Sequence, residues 1–482
     1  MARINNPQPD RETTLSYIKV AYFITRIFPF FLTVYILFRI SLNLFNDSPW
    51  YDEAMQFWIS FGSNPDSLNL NGGIWEVVKL NQLFNHDPGG FSIILHLWLK
   101  FSQDLCWIRI LPLLFFLASV FTTFLTVHFV FKNKFLSFIC ALIPFLSDTL
   151  IYFSTEIRAY SMECLCCSFG ILAICETQKQ KSLLQILGYT LVICLLATSR
   201  YSAMVLGALV ILVISLSWFR NQKHGAVCRV LVMIVPFLLF ATMTYLYSLS
   251  LQNPFVKTPS YVDLSVEINF FNIIIFLTPP ACLVLFSRSK DRRLFTISLF
   301  VTLLNFTFLI LALLEIHPAD IKSKYCIGML WGNLSFFIII LAKFLSSVSH
   351  HLGSSMAICI VGIGILLQHN SLSMRANQNF FDAEELCKLY DKKIYVDRGL
   401  SPIVKYLTTF GVAKKCEVTN KNDFFYQKQT THALDSDGNF LGMSEQKSQD
   451  FSPFDVLIVS DSIINDESSN WENTSNHFYH QN

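Results

Sequence analysis

The sequence predicts an α-helical polytopic membrane protein of about eleven transmembrane helices with a small C-terminal α/β extracytoplasmic domain. Three observations predict it. Hydrophobic residues make up 53% of the 482 positions and charged residues 15%, where a soluble protein carries about 25% charged residues. Apolar runs of about 20 residues, the length that crosses a bilayer, recur through residues 27–370. Basic residues then divide unequally between alternate loops, as membrane topology requires. The same composition excludes an ordinary cytosolic globule and a disordered chain. A formal net charge of +2 leaves no field for a polyanion, which excludes nucleic acid as a partner.

Residues 1–26 are polar and basic and read as a cytoplasmic N-terminal segment without a cleavable signal pattern. The apolar runs follow at 27–45, 107–131, 135–153, 159–176, 183–199, 201–219, 228–249, 268–287, 294–315, 325–346 and 353–369. With the N-terminus inside, the inner loops hold 16 Lys and Arg and the outer loops 8, although the outer side includes the longest loop. That bias obeys the positive-inside rule, and an odd number of spans leaves the C-terminus outside.

The first outer loop, 46–106, contains an aromatic segment around Trp50 to Phe61. It also contains an apolar segment, Phe91 to Phe101, too short to span and so expected at the interface. Residues 371–482 hold 27 charges, the first 370 the other 43, and this jump in density marks a domain boundary. Within the tail, Ser401-Pro402 is a helix-start pair and Gly411 a stop, which predicts a helix over 402–410. Ile394–Val396 and Val456–Val459 read as short buried strands, and the last 20 or so residues as a disordered end. The 13 Cys are no disulfide scaffold. Cys164, Cys166 and Cys167 lie in an apolar run as small hydrophobes, and helical spacing points them apart, against metal binding.

Candidate chemistry lies at the outer interface. Asp52-Glu53 follows the first span and, as a carboxylate pair, also suits a solvated helix start. His86-Asp87-Pro88-Gly89-Gly90 leads into the short apolar helix and suits an ordinary turn. Glu156-Ile157-Arg158-Ala159-Tyr160 forms the second outer loop, where Glu156 and Arg158 lie too close to the membrane to be casual, although a local ion pair also accounts for them. Asp148 and Glu163 lie nearby. Arg200 separates two apolar runs, and Lys322 and Lys324 occupy the last short outer loop. Cations against apolar walls suit a lipid phosphate, and a carboxylate beside them suits general-base work. A Gly-rich nucleotide-binding signature is absent from the sequence.

In order, these motifs resemble the GT-C-type integral-membrane glycosyltransferases. They are most similar to the dolichyl-phosphate-mannose-protein mannosyltransferase-like and lipid A aminoarabinose transferase-like proteins. The residues carrying the likeness are Asp52-Glu53-Ala54, the loop helix introduced by Asp87-Pro88 with Leu95-His96-Leu97-Trp98, Arg109-Ile110-Leu111-Pro112, and Glu156-x-Arg158-x-Tyr160. The likeness covers about 50–160 and continues more weakly to about 330. Pro88-Gly89-Gly90 and Lys324-Tyr325 depart from the family's usual Pro-Pro and Arg-Tyr patterns.

The resemblance implies a polyprenyl-phosphate-linked sugar donor, a glycolipid, glycan or protein acceptor, and inverting transfer on the non-cytoplasmic side. It also implies a bacterial inner (plasma) membrane, with membrane lipids as surroundings. Asp52 is then the base acting on, or orienting, the acceptor hydroxyl, with Glu53 beside it. Arg158, Arg200 and Lys324 bind the donor phosphate as it leaves; His86, Asp87, Glu156 and Tyr160 position substrate. No cofactor is required, and a divalent metal is compatible but not needed.

The alternative is a transporter or flippase of a lipid-linked sugar. Such a protein should carry polar groups at mid-membrane. A structural assembly protein that binds through its tail accounts for the tail but not for the first loop.

Overall fold

The computed structural model describes residues 30–45, 49–63, 72–85, 87–179, 181–220, 225–251, 270–287, 292–314, 316–317 and 324–347. Short pieces of the C-terminal segment are also described: 394–396, 403, 406–407, 410, 424–426, 456–458, 471–475 and 478–481. The chain is a helical, polytopic membrane protein. Six described helices are long and apolar enough to cross a bilayer.

The spans begin with α5 (Leu105–Phe131) and α8 (Tyr160–Thr177). They continue with α10 (Tyr201–Arg220), α11 (Ala226–Leu251), α13 (Arg292–Leu313) and α14 (Ile327–Ser347). Shorter apolar helices are α1 (Phe30–Leu44) and α9 (Leu183–Ala197), while α12 runs over Phe270–Ser287. The polar break Thr198–Arg200 thus separates two helices, as the runs on either side of Arg200 require. The expected run 353–369 lies outside the described residues.

One expected span takes a different form. Residues 135–153 do not form a straight helix. They divide into α6 (Lys134–Leu142), a 3-10 turn (Ile143–Leu146) and α7 (Asp148–Thr155), with a bend of 86°. Pro144 has no N–H to continue α6, and Ser147 restarts the chain as an N-cap, its hydroxyl accepting from Leu150 N–H at 3.3 Å.

Helix α8 is the axis of the bundle: 78% of its apolar window is buried, against 17% for α11, which lies at the periphery. It packs along α5, α10 and α14. Its thiols Cys164, Cys166 and Cys167 are buried in the core, as expected. Polar atoms inside the bundle find each other. Asn305 and Asn333 exchange amide hydrogen bonds at 3.0 and 2.8 Å between α13 and α14, removing two carboxamides from hydrocarbon.

The first loop folds into α2 (Tyr51–Phe61), α3 (Ile74–Phe84) and α4 (Gly90–Leu99). As expected of so short an apolar segment, α4 does not span. It buries Phe91, Leu95 and Leu99 against its neighbours.

In the tail, β1 (Ile394–Val396), β2 (Phe424–Tyr426), β3 (Val456–Ile458), β4 (Trp471–Ser475) and β5 (Phe478–Gln481) pair in the order β2-β1-β3-β5-β4. β1 lies parallel to β2 and β3, and β5 antiparallel to β3 and β4. Two of these strands coincide with those read from sequence. Tyr406, within the expected 402–410 helix, is buried and donates its hydroxyl to Gln103 carbonyl oxygen at 2.8 Å. Its ring and that of Phe410 pack edge-on against Phe57. The described residues Tyr406 and Phe410 therefore pack on the first loop and its neighbour Gln103.

Candidate functional site

The loop helices are positioned by two glycines. Gly89 has φ +91°, the left-handed region that favours glycine, and turns the chain into α4. A Cβ on Gly90 would overlap the Thr198 side chain, because Gly90 N–H donates to Thr198 carbonyl oxygen at 3.0 Å. Pro88-Gly89-Gly90 is thus more than a turn. It brings the first loop onto the Thr198–Arg200 break and carries Asp87 to Arg200.

Arg200 is the centre of the arrangement. Its Nη1 donates to Glu163 Oε2 at 3.0 Å, and its Nε lies 3.8 Å from Asp87 Oδ2. Its guanidinium also faces the rings of Tyr160 (5.1 Å) and Tyr325 (5.7 Å). Burial works against its charge. Glu163, Asp87 and Tyr160 more than offset this, so its pKa lies above the usual value although the neighbouring Arg158 opposes it.

Arg158 reaches across to the first loop, its Nη1 donating to Asn85 Oδ1 at 2.9 Å. Burial again disfavours its charge, and Tyr160, Asp52, Glu156 and Asp87 outweigh that effect, raising its pKa. Asp52, half-buried in the first turn of α2, and Asp87 are therefore both within electrostatic reach of Arg158. Glu156 is fully buried at the corner between α7 and α8, where its carbonyl accepts from Arg158 N–H at 2.7 Å.

Six of the nine candidates thus lie in one cluster: Asp52, Asp87, Glu156, Arg158, Tyr160 and Arg200. Lys324 opens the short turn Lys324–Cys326 beside Tyr325, so its backbone is at the same face. His86 lies outside the described residues.

Glu53 has a different setting. It is 0% exposed and makes a fork with Arg109, also 0% exposed, at 2.7 Å (Nη2 to Oε2) and 3.2 Å (Nε to Oε1). It also accepts from Ile157 N–H at 3.3 Å, which ties the start of α2 to the Glu156–Arg158 corner. A solvated helix start describes Asp52 but not Glu53.

Two features escaped sequence reasoning. One is the pairing of Arg109 with Glu53 and of Glu163 with Arg200. The other is an amide network beneath Arg158. Asn85 donates to Gln56 Oε1 (2.9 Å) and Asn81 Oδ1 (3.0 Å), Gln56 donates to Ser92 (2.7 Å), and Ser92 donates to Asn81 (2.6 Å). The available signal was spacing: Gln56/Ser60 and Asn81/Asn85 are i,i+4 pairs on single helix faces.

Charge balance limits the chemistry. Asp52, Asp87, Glu156 and Glu163 oppose Arg158 and Arg200, so the described cluster is not a net positive sink. An anion held here is held by directed guanidinium hydrogen bonds rather than by bulk charge. Among the described residues, no three His, Cys, Asp or Glu side chains converge as a metal site. The chain matches no protein-family model and no curated protein.

Proposed function

We propose that the chain is a membrane glycosyltransferase. It moves a sugar, with inversion, from a polyprenyl-phosphate donor to an acceptor hydroxyl on the non-cytoplasmic face of a bacterial inner membrane. The observation that carries this reading is the gathering of two arginines with carboxylates at one end of the bundle: Arg200 lies against Asp87 and Glu163, and Arg158, beside Arg200, is within electrostatic reach of Asp52. In this reading the two guanidiniums, with Lys324, stabilise the phosphate as negative charge grows on it, where fixed donors act most strongly. Asp52 takes the acceptor proton, while Glu53 supports the loop. The full count of eleven spans and an outer α/β domain over 371–482 belong to the same proposal.

The 86° break between α6 and α7 favours the second reading, since transporters use broken helices. The break, however, leads into the interfacial Glu156–Arg158 corner. The Asn305–Asn333 pair is uncharged. Purified protein in liposomes, supplied with a lipid-linked sugar and acceptor, decides between them. Release of polyprenyl phosphate with a glycosylated acceptor supports the transferase. Movement of the intact donor across the bilayer without cleavage overturns it.

Two further outcomes are expected. Arg158→Ala removes a guanidinium able to fork to phosphate, each charge-assisted bond contributing roughly 1.5–3 kcal/mol, so catalytic efficiency should fall about 10²-fold or more. Unchanged donor kinetics in the folded variant would reduce Arg158 to an anchor for Asn85. An alkaline phosphatase fusion after Arg375 should be active and one near Lys290 inactive. The reverse pattern moves the site to the cytoplasmic face.

A further inference from the structure

The opposite end of the bundle carries a second, differently built site. Helix α10 rises by roughly 30 Å from Arg200 to Arg220, about the thickness of the hydrocarbon core. At its far end a cavity of about 260 Å³ opens between α10, α12 and α13. Its polar lining is Arg220, Arg292, Ser217 and Thr296. Its walls are Leu216, Phe286, Phe295 and Leu299. The Arg220 guanidinium lies 4.2 Å from the centre of the Phe295 ring, and Gln178 donates to Ser217 at 2.8 Å, so the polar side of the cavity is ordered.

This end is strongly basic. Lys132, Lys179 and Arg293 all gather around the Phe129 ring, at 4.9, 3.9 and 4.7 Å. Among the described residues at this end, Glu176 is the carboxylate, and it is engaged by Lys181. Arg292 and Arg293 also begin α13, where the helix dipole disfavours cations.

We infer that this cavity binds the phosphodiester headgroup of an anionic phospholipid. The occupant follows from the lining: guanidiniums sit at the membrane edge, while the remaining walls are apolar and continue into lipid-facing helix surface. A free anion leaves those walls in water; a lipid covers them with acyl chain. Whole-ligand pockets run to about 300–1,000 Å³, so this cavity takes a headgroup, with the tails lying along α10 and α12. Basic pockets between spans are the expected form of such recognition.

Native mass spectrometry of the full-length protein, released from nanodiscs of mixed phosphatidylglycerol and phosphatidylcholine, tests the inference without donor or acceptor. Its outcome is therefore independent of the transferase reading. Phosphatidylglycerol should be retained over phosphatidylcholine. Arg220→Gln should weaken retention about 5-fold, and Arg220→Gln with Arg292→Gln about 30-fold, from the usual contribution of a juxtamembrane arginine. The double Lys variant should keep the lipid. Equal retention of both lipids by the wild type, or full retention by the double Gln variant, overturns the site. Displacement of the lipid by millimolar inorganic phosphate also overturns it, since that marks a free-anion site.

Discussion

Asp52→Asn is expected to lower sugar transfer by about 10²–10⁴-fold, the usual contribution of a positioned general base. The substitution keeps size and hydrogen bonding but removes the ability to accept a proton. Asp52 occupies the first turn of α2, half-buried and within electrostatic reach of Arg158, the guanidinium assigned to the phosphate. Asp52 lies in the first turn rather than at the N-cap, so losing its charge costs only about 0.3–1 kcal/mol of helix-dipole stabilisation and folding should be preserved. Initial rates in proteoliposomes at equal protein level measure the effect, and retention of donor separates loss of chemistry from loss of binding. A rate near wild type removes Asp52 from the chemistry and favours the transporter.

Its neighbour should behave differently. Glu53→Gln leaves Arg109 buried without its counter-charge, and breaking a buried pair in this way costs roughly 3–5 kcal/mol. Glu53 and Arg109 are both 0% exposed, so little solvent screens the loss. The same change weakens the acceptor for Ile157 N–H and loosens the link from α2 to the Arg158 corner. The thermal unfolding midpoint of the purified variant should drop substantially. Combining Glu53→Leu with Arg109→Met should recover part of it, because no buried charge is then left without its counter-charge, while Ile157 N–H still loses its acceptor. An unchanged midpoint for Glu53→Gln means that the pair contributes nothing net to the fold. Adjacent carboxylates are thus expected to divide the work: Asp52 acts on rate, Glu53 on stability.

Local rules made much of the helical layout legible. An apolar run such as 201–219 has one stable form in hydrocarbon, a helix that satisfies its own backbone, and it appears as Tyr201–Arg220. Run 135–153 forms a bent pair of helices, which hydropathy does not show because it averages over Pro144 and Ser147, whose effect on the backbone is directional. That charged residues such as Asp87, Arg158 and Arg200 fall at or beyond helix ends was also an expectation of the sequence, since charged groups cannot rest cheaply at mid-membrane.

By itself, then, the sequence determined the membrane class, most helix positions and the end of the bundle at which polar residues collect. Each follows from the transfer cost of a residue or a short window, which needs no partner to evaluate. Pairing needed the tertiary structure. Glu53 and Arg109 lie 56 positions apart and Asn85 and Arg158 lie 73 apart, and nothing in either local window selects the partner. Only the reach of Arg109 from α5 and of Ile157 N–H to the start of α2 makes Glu53 a buried anchor and leaves Asp52 half-buried. The two stand side by side in the chain, and helix geometry turns them about 100° apart.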